Sequence, residues 1–198
     1  MNGLVVATKN KKKLEEIKEI LKGLDLRITS LADYVDLPRI IENGKTFKEN
    51  AMKKAVKIAQ VTRKLTLGED SGLCVDALRG KPGVYSSRFS GKDKSDLKNN
   101  LKLIKLLEGL PLNKRKAHYY CAVALADKEG LVAVVEGKCG GLIGNALKGH
   151  FGFGYDPLFV IPKYKKTFAQ LGPRIKHKMS HRFRALAKAK EIILDYFS

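Results

Sequence analysis

Apolar runs and apolar helical faces alternate along the first part of the chain. The run LVVAT at residues 4–8 is followed by polar residues, which is typical of a buried strand. The next segment, NKKKLEEIKEILKG, places Leu14, Ile17 and Leu21 on one helical face, with Asn10 as its predicted N-cap. The pattern therefore opens as strand, then helix.

The same alternation continues through the middle of the sequence. Residues 46–60 predict a second helix, since Thr46 and Glu49 have the spacing of a capping box. Residues 64–78, KLTLGEDSGLCVDAL, predict a strand, an interruption at the acids and another strand. Residues 95–109 predict a third helix.

The last third of the chain adds a hairpin and a terminal helix. Residues 117–127 and 131–141 flank KEG and predict an antiparallel hairpin, which can serve the core or a subunit contact. A glycine-rich and aromatic loop at 149–162 leads into another strand, and a helix follows Ser180. Strands alternating with helices, together with a hairpin, predict the α/β class with a mixed sheet.

Length and composition agree with one soluble globular domain spanning residues 1–198, in one or two lobes. A chain this long buries roughly 70% of its unfolded surface and needs no disulfide or structural metal. The three cysteines, Cys74, Cys121 and Cys139, are odd in number and form no CxxC motif. We expect reduced thiols and a cytoplasmic protein, with no membrane span, because no apolar run approaches about 18 residues.

The net charge of +19, from 39 Lys and Arg against 20 Asp and Glu, is the strongest compositional signal. Such a field attracts polyanions, including nucleic acid, acidic lipid and nucleotide phosphates. A lysine-rich proteome with basic residues on solvated helix faces explains the same number. Charge alone therefore does not name a partner.

Clustered acids give the first candidate for chemistry. Glu69 and Asp70 stand side by side between apolar flanks, and Glu42 lies in a predicted loop before the second helix. Mg²⁺ typically binds one or two carboxylates together with substrate phosphates, so these acids suffice for a metal site. Without a cation, burying them would cost several kcal/mol.

Three other segments carry candidate ligand groups, each with a plainer structural alternative. Residues 8–13, TKNKKK, enter the first helix and can meet phosphate, or form an ordinary Asn-capped helix. Residues 149–159 can stack Phe151, Phe153 and Tyr155 on a base, or form an aromatic turn on the core. Residues 176–186 can offer donors to a base and a lysine to phosphate, or simply begin a basic helix.

Taken in order, five segments resemble the inosine/xanthosine triphosphate pyrophosphatase family. They are ATKNKKKLEEI, ENGKTFKENAMKKA, EDSGLCVDALRGKPGVYSSRFSG, GFGYDPLF and KMSHRFRAL, and they span nearly the whole chain. The resemblance implies hydrolysis of ITP, dITP and XTP to the nucleoside monophosphate and pyrophosphate. It also implies an elongated mixed β-sheet flanked by helices, in two lobes with a central substrate cleft.

The resemblance further implies site residues, a cofactor and an assembly. Glu42 and Asp70 would bind Mg²⁺, and Asp70 would also be the catalytic proton acceptor. The implied substrate-binding residues are Thr8, Lys9, Asn10, Lys11, Lys12, Lys13, Ser71, Phe153, Gly154, Tyr155, Asp156, Lys176, His181 and Arg182. The implied protein is a cytoplasmic homodimer, without a membrane or a stable nucleic-acid partner.

Two other functions compete with this interpretation. A basic nucleic-acid-binding protein would explain the charge, but acids such as Glu69 and Asp70 would repel phosphates, and no helix-turn-helix, RRM or zinc-finger pattern occurs. A Maf-like pyrophosphatase acting on modified pyrimidine nucleotides is the other alternative. A substrate panel scored for pyrophosphate separates the three.

Overall fold

The computed structural model describes residues 2–198 and contains a seven-stranded mixed sheet with flanking helices. The strands are β1 (Asn2–Val6), β2 (Leu26–Ser30), β3 (Leu65–Val75), β4 (Lys116–Asp127), β5 (Gly130–Ile143), β6 (Phe159–Ile161) and β7 (Lys166–Thr167). The helices are α1 (Lys11–Ile20), α2 (Phe47–Thr62), α3 (Asp96–Leu106), α4 (Phe168–Leu171), α5 (Pro173–Lys176) and α6 (His181–Phe197). The predicted α/β class with a mixed sheet is confirmed.

The strand order is β2-β1-β3-β4-β5-β6-β7. β1 is parallel to both neighbours, with Leu4 opposite Ile28 on β2 and Leu65 on β3. Because parallel neighbours need a crossover connection, the chain runs from β1 through α1 into β2. The turn between β1 and α1 is the predicted phosphate-binding segment.

The predicted interruption between two strands at residues 64–78 is wrong. β3 runs unbroken through Glu69, Asp70 and Ser71. β1 pairs with it from Leu65 to Leu67, β4 is its other neighbour in the sheet, and its extended backbone continues past the acids. Both carboxylates therefore project from a rigid strand rather than from a turn.

The chain divides into two compact units, and each has its own core. Unit 1 comprises the chain up to Ser71, Cys121–Gly137 and His181–Ser198, and unit 2 comprises Gly72–Tyr120 and Lys138–Ser180. The core of unit 1 includes Leu4, Ile17, Leu67, Cys121, Val123, Leu125, Leu186 and Ile193. The core of unit 2 includes Leu73, Leu103, Tyr119, Ile143, Tyr155, Phe159 and Phe168.

The hairpin of β4 and β5 contributes to the core, which was one of the two roles left open. Its turn is Lys128 and Glu129, and Asp127 Oδ1 accepts hydrogen bonds from the backbone of Glu129 at 2.9 Å and Gly130 at 3.2 Å.

All three cysteines are free thiols. Within residues 2–198 no helix has the length and apolarity needed to cross a membrane.

Candidate active site

Close packing of α2 on β3 builds the first part of the site, in unit 1. A Cβ atom on Gly68 would lie 2.2 Å from the carbonyl oxygen of Ala51, so the helix approaches this strand only because residue 68 is glycine. The approach brings Asn50 and Lys54 of α2 beside Asp70 of β3. Asp70, two residues after Gly68 on β3, therefore lies against two donors on α2.

Asp70 and Glu42 converge on a single cation, the ammonium of Lys54. Lys54 Nζ lies 2.6 Å from Glu42 Oε2 and 3.4 Å from Asp70 Oδ1, and donates to the carbonyl oxygen of Glu69 at 3.0 Å. Asn50 Nδ2 donates to Asp70 Oδ2 at 3.0 Å. The two carboxylates predicted as metal ligands therefore face one positive charge.

The protonation behaviour of this pair follows from burial. Burial raises the pKa of the Asp70 carboxyl, and Lys54 and Lys13 oppose the rise only in part. Burial would lower the pKa of Lys54, but Asp70 and Glu42 raise it above the ordinary value. Lys54 therefore stays charged, while Asp70 is a stronger proton acceptor than an exposed aspartate.

Lys54 is a site residue that the sequence analysis missed. Ala51 and Ala55 form a small-residue stripe on α2, and Lys54 is next to that stripe in sequence. That spacing was the signal that could have identified it.

Across residues 2–198, no group of three or more His, Cys, Asp or Glu side chains is arranged to hold a metal ion.

Glu69 points to other partners than its neighbour Asp70 does. Its side chain is buried and lies 2.8 Å from Lys13 Nζ and 3.1 Å from Arg182 Nη2, with Cys121 Sγ donating to it at 3.4 Å. Burial would raise the pKa of Glu69, but Arg182 and Lys13 lower it well below its ordinary range. Glu69 is therefore a fixed negative charge in the interior.

Arg182 ties three elements of unit 1 together. It is 1% exposed; its Nη1 bonds Glu16 of α1, and its Nη2 donates to Glu69 and, at 3.0 Å, to Ser71 Oγ. Burial would lower the pKa of Arg182, whereas Glu69 and Glu16 raise it. Both terminal nitrogens thus have protein partners, which weighs against the predicted role of Arg182 as a donor to a base. Glu16 was not among the site residues predicted from the sequence.

His181 is placed by a second close approach. A Cβ atom on Gly137 of β5 would lie 2.2 Å from the carbonyl oxygen of His181, so the first turn of α6 lies directly against that strand. His181 is 4% exposed. Its imidazole belongs to the interior of unit 1, as does the neighbouring Arg182.

The turn from Thr8 to Lys13 contains the predicted N-cap of α1, and one of its lysines contacts Glu69. Asn10 Oδ1 accepts from Lys13 N at 3.1 Å, and Thr8 Oγ1 accepts from Asn10 N at 3.1 Å. Lys13 reaches Glu69, as described above. The remaining lysines of the turn, Lys9, Lys11 and Lys12, are exposed.

A buried carboxylate of unit 2, Asp156, organises the glycine and aromatic loop. Asp156 is 1% exposed, and its oxygens accept from Tyr119 Oη at 3.3 Å, Phe153 N at 3.0 Å and Lys176 Nζ at 2.6 Å. A Cβ atom on Gly152, whose φ is +79°, would lie 2.1 Å from Asp156 Oδ2. The loop therefore closes around this carboxylate only with glycine at position 152.

The aromatic rings of this loop have different environments. Tyr155 is 3% exposed, belongs to the unit 2 core and donates from its hydroxyl to Ser86 O at 2.8 Å. Lys176 Nζ lies 4.7 Å from the centre of the Phe153 ring. Tyr155 thus follows the core-packing alternative, and Lys176 has a carboxylate and a ring as neighbours.

Comparison with known proteins gives the relationship. The model of the Ham1 family matches residues 4–192. The chain is 48% identical over 190 residues to the dITP/XTP pyrophosphatase of Desulforamulus reducens, covering 96% of this chain and 94% of the relative. It is also 48% identical to the dITP/XTP pyrophosphatase of Geobacter sulfurreducens, covering 96% of each. The chain belongs to the Ham1 family.

Solved structures agree with this assignment. A Ham1 protein from Coxiella burnetii superposes with a TM-score of 0.89 at 35% identity, covering 98% of this chain and all of that one. The dITP/XTP pyrophosphatase from Mycobacterium abscessus superposes with a TM-score of 0.77 at 39% identity, covering 94% and 97%. The resemblance inferred from the five sequence segments is therefore confirmed for this Ham1 family member.

Proposed function

We propose that this chain hydrolyses the non-standard purine nucleoside triphosphates dITP, XTP and ITP to the nucleoside monophosphate and pyrophosphate. The observation that carries the proposal is full-length similarity to relatives named dITP/XTP pyrophosphatase. The enzyme thereby removes damaged purine nucleotides from the precursor pool. The buried carboxylates of β3 supply the chemistry that such a reaction needs.

Glu42 and Asp70 are proposed to hold Mg²⁺. They fit a divalent cation because their oxygens already converge on the positive charge of Lys54, and hard oxygen donors are what Mg²⁺ prefers. Two carboxylates are enough, since substrate phosphates and water complete the coordination of this metal. Held by Glu42 and Asp70, such a cation would supply neutralisation of phosphate charge and Lewis-acid polarisation of the phosphates.

Asp70 is proposed as the proton acceptor. It takes a proton from the water that attacks the triphosphate, the bond between the α and β phosphates breaks, and pyrophosphate leaves. Because burial raises its pKa, Asp70 accepts that proton more readily than an exposed aspartate would. Asn50 orients the carboxylate by donating to Oδ2 at 3.0 Å.

Residues 8–13 are proposed to contact the phosphates. They carry the N-terminal end of α1, where free backbone N–H groups and the helix dipole favour anions. Lys13 adds a positive charge that Glu69 holds in place at 2.8 Å. Ser71, which follows Asp70 on β3, offers a hydroxyl to the substrate in the same unit.

Base selection is proposed to use donors that pair with the carbonyl at purine position 6. Adenosine has an amine there, so a donor in the site loses its partner, and such a mismatch discriminates by roughly 10⁴-fold. His181 and Arg182 are the candidate donors that the resemblance implies, and both terminal nitrogens of Arg182 also have protein partners. In unit 2, Phe153 is proposed to contact the base, while Tyr155 packs in the core and Asp156 holds the loop and Lys176 in place.

Substitution of Asp70 tests the proposal. We expect Asp70→Asn to reduce pyrophosphate release from dITP by about 10³-fold, within the range for loss of a general base. Circular dichroism melting serves as the control for folding. Turnover by Asp70→Asn within a few fold of wild type would exclude Asp70 as the proton acceptor.

Assembly and location stay predictions from the resemblance. We propose a homodimer, which size-exclusion chromatography with light scattering tests directly. We also propose a cytoplasmic location, which cell fractionation tests.

A further inference from the structure

The two units carry unequal net charge. Unit 1 has 106 residues with 20 basic and 15 acidic side chains, whereas unit 2 has 92 residues with 19 basic and five acidic side chains. The net charges are +5 for unit 1 and +14 for unit 2. Most of the charge of the protein is therefore concentrated in unit 2.

A lysine-rich proteome does not explain this difference. It would raise the number of basic residues in both units alike, and their numbers, 20 and 19, are indeed nearly equal. The difference lies in the acids, which number 15 in unit 1 and five in unit 2. A scarcity of acids confined to one unit indicates a surface that contacts negative charge.

The excess charge lies on the surface of unit 2. Only Asp156 among its acids is buried, and Asp93 is already paired with Lys98 at 2.6 Å. Two basic side chains, Arg115 and Lys176, are buried. The exposed basic residues are Arg79, Lys81, Lys92, Lys94, Lys98, Lys102, Lys105, Lys114, Lys116, Lys138, Lys148, Lys163, Lys165, Lys166, Arg174 and Lys178.

Part of this charge lies on one accessible face of the sheet, which we call the lysine face: Lys116, His118, Tyr120 and Lys138. Along β4 the first is exposed, the next two are partly buried, and the residues between them are buried, so all three share one face. Lys138 of β5 lies 5.2 Å from the centre of the Tyr120 ring. Burial and the charge of Lys138 lower the pKa of His118, and the charge of Asp76 opposes this only in part.

We propose that the lysine face binds single-stranded nucleic acid weakly and without sequence preference. Lys116 and Lys138 contact phosphates, while the rings of Tyr120 and His118 offer flat surfaces on which bases stack. A lipid headgroup has no π-face to match these rings. A second copy of the same face is disfavoured as the occupant, because the exposed lysines of the two faces would repel each other.

Fluorescence anisotropy with a labelled oligothymidylate of roughly 20 nucleotides tests the proposal on the full chain. We expect binding in about the 10⁻⁶–10⁻⁴ M range, which is typical of nonspecific electrostatic binding, and a steep loss of affinity with salt. Lys116→Gln combined with Lys138→Gln should weaken binding at least about fivefold and reduce the salt slope by about 1.4, since each lysine contributes roughly 0.7. Tyr120→Leu should weaken binding about fivefold or more through lost stacking.

The matched control removes the same charge from unit 1. Lys22→Gln combined with Arg27→Gln changes two exposed residues outside the lysine face, and should leave affinity within about twofold of wild type. Circular dichroism melting should show that both double variants fold as wild type does.

Four results would overturn the proposal. One is no anisotropy change at low salt, and another is equal weakening by the control variant. The third is stronger binding to vesicles of phosphatidylserine and phosphatidylcholine than to the oligonucleotide, lost in the lysine-face variant. The fourth is a dimer, seen by light scattering, that the lysine-face variant dissociates.

Discussion

Two aspartates are buried among residues 2–198, Asp70 in unit 1 and Asp156 in unit 2, and their environments are opposite. Asp156 is 1% exposed and accepts from a hydroxyl, a backbone N–H and a lysine. Asp70 is 8% exposed and, among residues 2–198, accepts from Asn50 and Lys54 only, the latter at 3.4 Å. One carboxylate is well supplied with donors, and the other is not.

This difference indicates that the two aspartates have different roles. Asp156 holds the backbone of its own loop through Phe153 N and fixes Lys176, so its donors are part of the fold. Asp70 has a raised pKa, and its ammonium partner Lys54 lies at 3.4 Å and is shared with Glu42, so Asp70 gains from a further cation and from a proton. We infer that Asp156 positions a loop, whereas Asp70 is available for chemistry.

Substitution of Asp156 should have the largest effect on stability. Asp156→Asn leaves Lys176 buried beside a neutral amide, and a buried charge without its partner typically costs about 4 kcal/mol. Urea unfolding measures the free energy of unfolding. Asp70→Asn is the matched control, expected to cost about 1 kcal/mol, and equal losses for the two variants would contradict the comparison.

Glu69→Gln should reduce the free energy of unfolding by about 3 kcal/mol at neutral pH, because Arg182 and Lys13 lose a buried partner. The pKa of Glu69 is lowered in the folded protein, so its contribution is present above the unfolded pKa of about 4.3. It is lost as pH falls through the folded value. Urea unfolding at several pH values should show the two proteins converging in acid, and a constant gap would contradict this.

Gly68→Ala should cost about 2 kcal/mol, because the new methyl group would lie 2.2 Å from Ala51 O and force α2 away from β3. The shift would also separate Lys54 from Asp70 and reduce turnover. Gly140→Ala is the control, since nothing lies within 4 Å of a Cβ atom there. Thermal unfolding and pyrophosphate release measure both effects. Equal behaviour of the two variants would show that close packing at Gly68 is unimportant.

Among these variants, Ser71→Ala should reduce the free energy of unfolding the least. It removes the hydroxyl that accepts from Arg182 Nη2 at 3.0 Å, which is worth about 1 kcal/mol. Glu69 still holds the guanidinium, so its position should not change. A crystal structure of the variant would show this directly, and a rotated Arg182 side chain would contradict it.

Features encoded by neighbouring residues were predictable from the sequence. Asn10 caps α1, and Thr46 caps α2 by accepting from Glu49 N at 3.1 Å, because both motifs depend only on residues within one turn. In a complete capping box the Glu49 side chain would accept from the backbone N–H of Thr46. Here Glu49 Oε2 accepts from Lys45 N at 2.8 Å instead. Local chemistry therefore gave the helix starts but not every partner.

Features that depend on contacts between distant segments were not predictable in this way. The acids at Glu69 and Asp70 resemble a strand end, yet β3 continues to Val75 with β4 as its neighbour in the sheet, although the pairing with β1 covers only Leu65–Leu67. Lys54 meets Glu42 and Asp70 only because Gly68 admits α2. The motifs therefore predicted which acids matter, whereas the cation they share required tertiary packing.

The most direct test of the central claim is a substrate panel scored for pyrophosphate. Purified protein with Mg²⁺ is assayed on dITP, XTP, ITP, ATP, GTP and modified pyrimidine triphosphates. We predict values of kcat/KM for dITP and XTP that exceed the value for ATP by at least about 10²-fold, with pyrophosphate as product. Equal efficiency on ATP, or a preference for modified pyrimidines, would contradict the account.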